Sequence, residues 1–182
     1  MISKKNTGII ALLIFVSAAS RLLPHPPNMT AIGAMALFGG AYLGQKYLAF
    51  LVPLLAMFLS DLVLNNVVYS QYYEGFVLLN AHSLWVYGSI AVIALIGIGL
   101  LKKVTWTKVL GGALSATAVF FLVTNFGSWL SSPVYTKDIS GLMQSYVAGL
   151  PFLRNSLIGN LAFSAALFGV YEMAIQKKTQ FA

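Results

Sequence analysis

The sequence predicts an all-helical integral membrane protein, a bundle of six transmembrane helices with both termini in the cytoplasm. Its 182 residues are 59% hydrophobic and 8% charged, whereas soluble domains are about 25% charged. A chain with so few charges cannot cover itself with a water-compatible surface. Eight of the eleven basic residues lie in every second gap between six apolar stretches, and short loops rich in Lys and Arg stay cytoplasmic. These eight are Lys4, Lys5, Lys46, Lys102, Lys103, Lys108, Lys177 and Lys178.

The apolar stretches have lengths that suit membrane helices. A helix rises 1.5 Å per residue and needs about 20 residues to cross the hydrocarbon. We treat residues 1–182 as a single transmembrane domain. Its predicted spans are residues 7–23, 31–44, 47–63, 84–101, 109–130 and 152–175.

The first stretch ends where residues 24–27 read Pro-His-Pro-Pro, because proline cannot continue a helix and restricts the residue before it. Lys4, Lys5, the apolar run and the small residues at 17–20 also fit a cleaved secretory signal. The transmembrane interpretation is preferred, since removal of this segment would leave five spans. It would also place the C-terminal lysines on the wrong side.

The second stretch is short and rich in small residues, which predicts a helix that is tilted or packed inside the bundle away from lipid. Asn28 or Thr30 would cap this helix. Ala36, Gly40 and Gly44 form a row of small residues, and such rows allow two helix backbones to approach closely.

The remaining stretches alternate with two polar loops. The third contains Pro53, which predicts a kink, and a polar, aromatic loop follows at residues 65–74. The fourth and fifth stretches are joined by a lysine-rich segment. A second polar loop is predicted at residues 131–149, and the sixth helix is predicted to begin at Phe152.

Composition excludes several function classes. Without cysteine there is no disulfide, thiolate metal site or thiol catalysis, and two histidines are too few for a His-rich metal cage. The basic residues form no cluster interleaved with aromatics, which argues against nucleic acid as a partner. No serine-hydrolase, zinc-protease or phosphate-loop motif occurs. We therefore predict no enzyme activity, no metal and no cofactor.

Polar side chains lie near the ends of four spans, on the side away from the lysines. Such groups are costly inside a membrane and usually face the bundle interior or a cavity. They predict a polar, partly aromatic pocket that is open to the outside and binds a small molecule. The candidate binding residues are Arg21, Asn28, Asp61, Asn65, His82, Asn125, Trp129, Tyr146, Arg154 and Asn155.

Two interpretations of these groups remain open. As a site, Arg21 and Arg154 would hold an anionic or carbonyl group, and Trp129 would stack on the solute. Alternatively the groups satisfy one another, with Asp61 paired to Arg21 or Arg154. The aromatic residues would then form an interfacial belt, and the histidines would be solvated.

Several segments resemble a bacterial family of uncharacterised six-helix membrane proteins proposed to act in transport. The resemblance covers nearly the whole chain and is carried by RLLPHPPNMT at residues 21–30, AMALFGGA at 34–41, TNFGSW at 124–129, GLMQSY at 141–146 and PFLRN at 151–155.

In size and topology this family is similar to the substrate-capture (S) components of energy-coupling factor (ECF) transporters. That resemblance implies a multi-pass protein of the bacterial cytoplasmic membrane, with a binding site at its outer end. It further implies uptake of a vitamin or related scarce metabolite, with a transmembrane coupling subunit and its ATPases as partners. Two other functions are considered: a structural or assembly protein whose outer loops bind another protein, and an intramembrane enzyme.

Overall fold

The computed structural model describes the backbone of residues 4–180 and the side chains of residues 7–174. The side chains of Lys4, Lys5, Lys177 and Lys178, which belong to the predicted basic pattern, lie outside the described part. Within residues 4–180 there are α-helices and short helical turns but no strand, so the prediction of an all-helical chain is confirmed. The helices are α1 (Lys4–Ala19), α2 (Ile32–Tyr42), α3 (Lys46–Val63), α4 (Ser83–Leu100), α5 (Trp106–Ser131) and α6 (Ile139–Gln180).

Short helical turns extend two of these helices. A 3-10 turn at Ser20–Leu22 follows α1, and a π-helical turn at Leu64–Val68 follows α3. A further 3-10 turn at Ser70–Tyr72 lies in the connection to α4. The loop predicted at residues 65–74 therefore begins with two helical turns.

Four helical segments are long and apolar enough to cross a membrane, and they indicate a membrane protein. They are Lys46–Val68, Ser83–Leu100, Trp106–Ser131 and Ile139–Ala174. Two apolar segments are shorter, Thr7–Leu22 and Ile32–Tyr42. Large apolar side chains are exposed on the outer faces of the helices, as expected of surfaces that contact lipid: Leu12, Leu51, Leu95, Leu114 and Val170 are examples.

Helix α2 lies at the centre of the bundle. Every residue from 31 to 40 is buried, and the helix packs against α1, α3, α4, α5 and α6. At 1.5 Å per residue its 11 residues span about 16 Å, well short of the ~30 Å hydrocarbon core. A short helix is tolerated at that depth when protein surrounds it. The expectation of a helix packed inside the bundle agrees with this position.

Glycines allow α2 and α4 to touch backbone to backbone. A Cβ at Gly40 would overlap the Ala94 carbonyl oxygen and lie 2.9 Å from the Ile98 nitrogen. A Cβ at Gly97 would lie 2.6 Å from the Leu37 carbonyl oxygen. The row of small residues on the second stretch was predicted to allow two helix backbones to approach closely. At Gly40 it allows this between α2 and α4, inside the bundle.

The start of the last helix was predicted wrongly. Residues 131–149 were expected to be a loop, but α6 begins at Ile139 and continues through Pro151. Asp138 starts it: its Oδ1 accepts 2.8 Å hydrogen bonds from the Gly141 N–H and the Thr136 hydroxyl. These bonds lower the pKa of Asp138, with the Gly141 N–H contributing most. The 42-residue helix is about 63 Å long, about twice the ~30 Å thickness of the hydrocarbon core.

The two ends of the bundle differ in chemistry. Gly40, near the end of α2, packs against Gly97, near the end of α4. Since only residues 43–45 join α2 to α3, the start of α3 lies at the same end as the α4–α5 connection. We call this the lysine end, defined by Lys46, Lys102, Lys103 and Lys108. The opposite end, where α3 and α5 finish and α2 and α4 begin, holds a cleft and is called the cleft end.

Candidate functional site

The cleft has two adjoining lobes. A larger lobe of about 370 Å³ and a smaller lobe of about 210 Å³ share Asn28, His82, Phe120 and Thr124 as lining residues. Ligand pockets for small molecules typically measure about 300–1,000 Å³. The cleft is therefore large enough for a metabolite that occupies both lobes.

The larger lobe carries the charged groups. Arg21, in the turn after α1, makes a 2.8 Å ion pair with Asp61 of α3, and the two side chains are 11% and 14% exposed. The same arginine donates through Nη1 to the Ser60 hydroxyl and, at 3.0 Å, to the Met57 sulfur. Asp61 also accepts a 2.8 Å hydrogen bond from the Tyr87 hydroxyl. Of the two interpretations considered from sequence, pairing of Asp61 with Arg21 is present.

This pairing leaves one N–H donor of the Arg21 guanidinium without an acceptor in the protein. Its Nε is buried and has no hydrogen-bond partner, although Arg21 is one of the residues that line the larger lobe. A buried donor without a partner costs about 1–3 kcal/mol. His25 and His82 line the same lobe. The basic side chains at the larger lobe therefore outnumber its one neighbouring carboxylate, that of Asp61.

The smaller lobe is uncharged apart from His82. Three phenylalanines, Phe120, Phe121 and Phe152, form its apolar walls. The remaining groups are short neutral donors and acceptors, as expected of a pocket that orients a ligand by hydrogen bonds. These polar lining residues are Asn28, Thr124, Asn125, Ser128, Tyr135, Ser145 and Ser156.

Asn125 fits beside the smaller lobe because Gly149 lacks a side chain. The Nδ2 of Asn125 donates to the Phe121 carbonyl oxygen at 2.8 Å, and a Cβ at position 149 would overlap the Asn125 Oδ1. Asn160 of α6 donates through Nδ2 to the Thr117 hydroxyl of α5 at 2.9 Å. Asn160 also lines a small pocket next to the cleft.

A strap formed by residues 24–31 contributes lining residues to both lobes. At its centre Asn28 adopts a left-handed φ of 61°, a conformation that asparagine tolerates better than most residues. Helix α6 holds the strap in place: Asn155 Nδ2 donates to the Pro27 carbonyl oxygen at 3.0 Å, and Ser156 Oγ donates to the Asn28 carbonyl oxygen at 3.3 Å. Asn155 is thus a support of the cleft, whereas Asn28 lines it.

Trp129 and Tyr146 also support the cleft from outside. The Trp129 Nε1 donates to the Thr136 carbonyl oxygen at 2.8 Å, and the Tyr146 hydroxyl donates to the Leu122 carbonyl oxygen at 3.0 Å. Neither is among the residues that line the two lobes. Asn65 is half-buried in the π-helical turn and Arg154 is exposed, and both also lie outside the lining.

The structure therefore brings together five of the ten candidates and separates the others. Arg21, Asn28, His82 and Asn125 line the cleft, and Asp61 pairs with Arg21. Several lining residues were not among the candidates. A helical spacing marks them: Phe120, Thr124 and Ser128 follow one face of α5, and Ser145, Gly149, Phe152 and Ser156 follow one face of α6.

His82 lines both lobes and is the residue directly before α4. Burial lowers the pKa of His82 from its ordinary value. The folded chain then binds fewer protons at this site than the unfolded chain just below the ordinary pKa of about 6.5. The contribution of His82 to the free energy of unfolding is therefore fully present above about pH 6.5, and it is lost as the pH falls below that value.

We therefore expect His82→Gln to flatten the pH dependence of stability. The measurement is the unfolding midpoint of the detergent-solubilised chain between about pH 7.5 and about pH 5.5, the range in which histidine titrates. Equal slopes for wild type and His82→Gln would contradict the assignment.

The described side chains contain no group of three or more His, Asp or Glu that could hold a metal ion. A family model described as "Family of unknown function (DUF6580)" matches residues 2–182. No curated protein and no solved structure matches the chain significantly.

Proposed function

We infer the function from the cleft itself, because the chain belongs to a family of unknown function (DUF6580). We propose that it is a membrane transport protein that captures a small solute at the outer face for uptake. In this role it acts as a substrate-binding subunit similar to the S components of ECF transporters, and the solute is a vitamin or related scarce metabolite.

The cleft is the observation that carries this proposal. Polar side chains from the strap, from His82 just before α4, and from α5 and α6 converge on one volume. The outer surface of the same bundle exposes leucines and valines. Polar groups at that depth are costly in a membrane and are kept for ligand or ion pathways. A structural bundle has no need of two adjoining lobes of about 370 Å³ and about 210 Å³ next to a buried ion pair.

The two lobes favour a solute with two unlike parts. Arg21 and the histidines of the larger lobe suit a carboxylate or carbonyl oxygen, to which guanidinium donates strong hydrogen bonds. Ile32, the first residue of α2, also lines this lobe, so the positive end of the α2 dipole adds to the attraction. The phenylalanines of the smaller lobe suit a planar or apolar part.

The lysines support an orientation with the cleft facing outward. Lys46, Lys102 and Lys103 are exposed at the end of the bundle opposite the cleft, and lysine-rich short loops stay in the cytoplasm. In the proposal the chain crosses the bacterial cytoplasmic membrane six times with both termini inside. Its sequence has no phosphate-binding loop, so ATP-driven uptake requires a coupling subunit with separate ATPases.

The test is to fill the smaller lobe without disturbing the core. Ala148 lines this lobe and is itself exposed, so we expect Ala148→Phe to fold normally and to lose at least about tenfold of the bound solute, equivalent to ~1.4 kcal/mol. The measurement is mass spectrometry of small molecules that co-purify with the chain. Ala162→Phe places the same side chain on an exposed position of α6 away from the cleft and should retain the solute.

A second candidate is a structural or assembly protein whose outer loops bind another protein. The connection between α3 and α4 favours it, because Val67, Tyr72 and Phe76 are each at least 70% exposed there. Exposed apolar patches mark interaction surfaces or membrane contact. Full solute retention by Ala148→Phe, or a purified wild type that carries no solute, would leave this second function as the better account.

A further inference from the structure

A second cavity lies at the lysine end, remote from the cleft. It has a volume of about 190 Å³ and is formed where α5 begins and α6 approaches its end. Its lining residues are Val104, Thr105, Trp106, Val109, Phe168 and Glu172. None of these residues lines either lobe of the cleft.

Glu172 supplies the charge of this cavity. The Tyr42 hydroxyl at the end of α2 donates a hydrogen bond to Glu172 Oε1, which holds the carboxylate in place and leaves its other oxygen free of that bond. A half-buried carboxylate without a cationic partner within 4.0 Å among the described side chains favours a cation from outside.

The walls indicate which cation fits. Trp106 and Phe168 present aromatic surfaces, and Val104 and Val109 are apolar. Metal ions such as Mg²⁺ and Ca²⁺ require several oxygen ligands, and the described side chains provide no cluster of acidic residues and histidines here. Aromatic walls with one carboxylate instead suit an organic ammonium group.

Three lysines are neighbours of the lining residues in the sequence. Lys103 precedes Val104 and Lys108 precedes Val109, while Lys102 is exposed in the same connection. A basic segment of this kind attracts phosphate. A carboxylate in the cavity and lysines in the adjoining segment therefore match a zwitterion that carries an ammonium and a phosphate.

A lipid headgroup is the zwitterion that this location favours. Trp106 is 60% exposed at the start of α5, and tryptophan is enriched at the level of membrane headgroups. Basic pockets between transmembrane helices on the cytoplasmic side bind phospholipid headgroups. We propose that this cavity binds an aminophospholipid, with Glu172 accepting hydrogen bonds from the primary ammonium and the lysines holding the phosphate. The proposal requires a membrane location but not solute transport.

The test compares lipids that differ only in the headgroup. The full chain is placed in nanodiscs of equal parts phosphatidylethanolamine, phosphatidylglycerol and phosphatidylcholine, released, and analysed by native mass spectrometry for bound lipid. We expect phosphatidylethanolamine to be enriched on the wild type. Glu172→Gln keeps the shape and an acceptor for Tyr42, and we expect it to reduce that enrichment about tenfold, as for loss of a charge-assisted hydrogen bond.

Two further variants make the result decisive. Glu74→Gln removes a carboxylate from an exposed loop at the cleft end and should keep the wild-type preference. Trp106→Ala changes an exposed wall residue, so it tests the cavity even if Glu172→Gln does not fold, and it should also weaken the preference. Equal binding of phosphatidylethanolamine and phosphatidylcholine, enrichment of phosphatidylglycerol, or an unchanged preference in both cavity variants would overturn the proposal.

Discussion

Asp61→Leu is expected to lower the free energy of unfolding by about 3 kcal/mol, and adding Arg21→Met to the same chain should restore most of the loss. The single change leaves the Arg21 guanidinium without its ion-pair partner and the Tyr87 hydroxyl without its acceptor. Removing one member of a buried pair is strongly destabilising, whereas replacing both by apolar residues is often neutral. Removing one partner of a buried pair costs about 3–5 kcal/mol. Because this pair is partly exposed, we expect a loss at the lower end of that range.

A double-mutant cycle in denaturant or heat measures this coupling. Wild type, Asp61→Leu, Arg21→Met and the double variant are unfolded in the same detergent. Lys103→Met, which removes an exposed cation from a loop, controls for net charge and should change little. If the two single changes add in the double variant, the ion pair contributes no coupling and our description of the larger lobe is wrong.

The second large effect is expected at the centre of the bundle, where Gly40→Ala should destabilise the chain by about 2 kcal/mol or more. The new methyl group would overlap the Ala94 carbonyl oxygen and approach the Ile98 nitrogen to 2.9 Å. Both are backbone atoms of α4, so no side-chain rotation relieves the overlap. Helices α2 and α4 must move apart, and α2 is buried by every other helix of the bundle.

Gly88→Ala and Gly99→Ala provide matched controls on α4 itself. A Cβ at either position meets nothing within 4 Å, so alanine should change stability by less than about 1 kcal/mol, in the favourable direction given by helix propensity. Thermal unfolding of the three variants in detergent is the measurement. Equal midpoints for Gly40→Ala and the controls would show that the α2–α4 contact is looser than described here.

Much of the fold can be predicted from the length and composition of single segments. The all-helical class comes from apolar stretches of membrane length, and the position of α2 comes from its brevity and its small residues. The start of α6 was missed because Pro151 and the polar residues before it resemble a loop. Asp138 begins a helix there through a local hydrogen bond to Gly141, a signal that apolar periodicity does not contain.

The candidate site was less predictable, because it depends on how helices are rotated against one another. Arg21 and Asp61 are 40 positions apart, and sequence allowed either arginine to pair with Asp61. Arg154 has the same chemistry as Arg21 but lies on an exposed face of α6. Phe120 and Thr124 look like ordinary residues of an apolar span until α6 is placed opposite them.

The most direct test of solute capture is an experimental structure of the wild-type chain with the small molecule that co-purifies with it. We predict that the molecule contacts Phe120, Thr124 and His82, with an acidic or carbonyl group toward Arg21 and its planar or apolar part between the phenylalanines. A cleft that stays empty while the chain is loaded with the co-purified molecule, or a cleft filled by the chain's own side chains, would contradict the account.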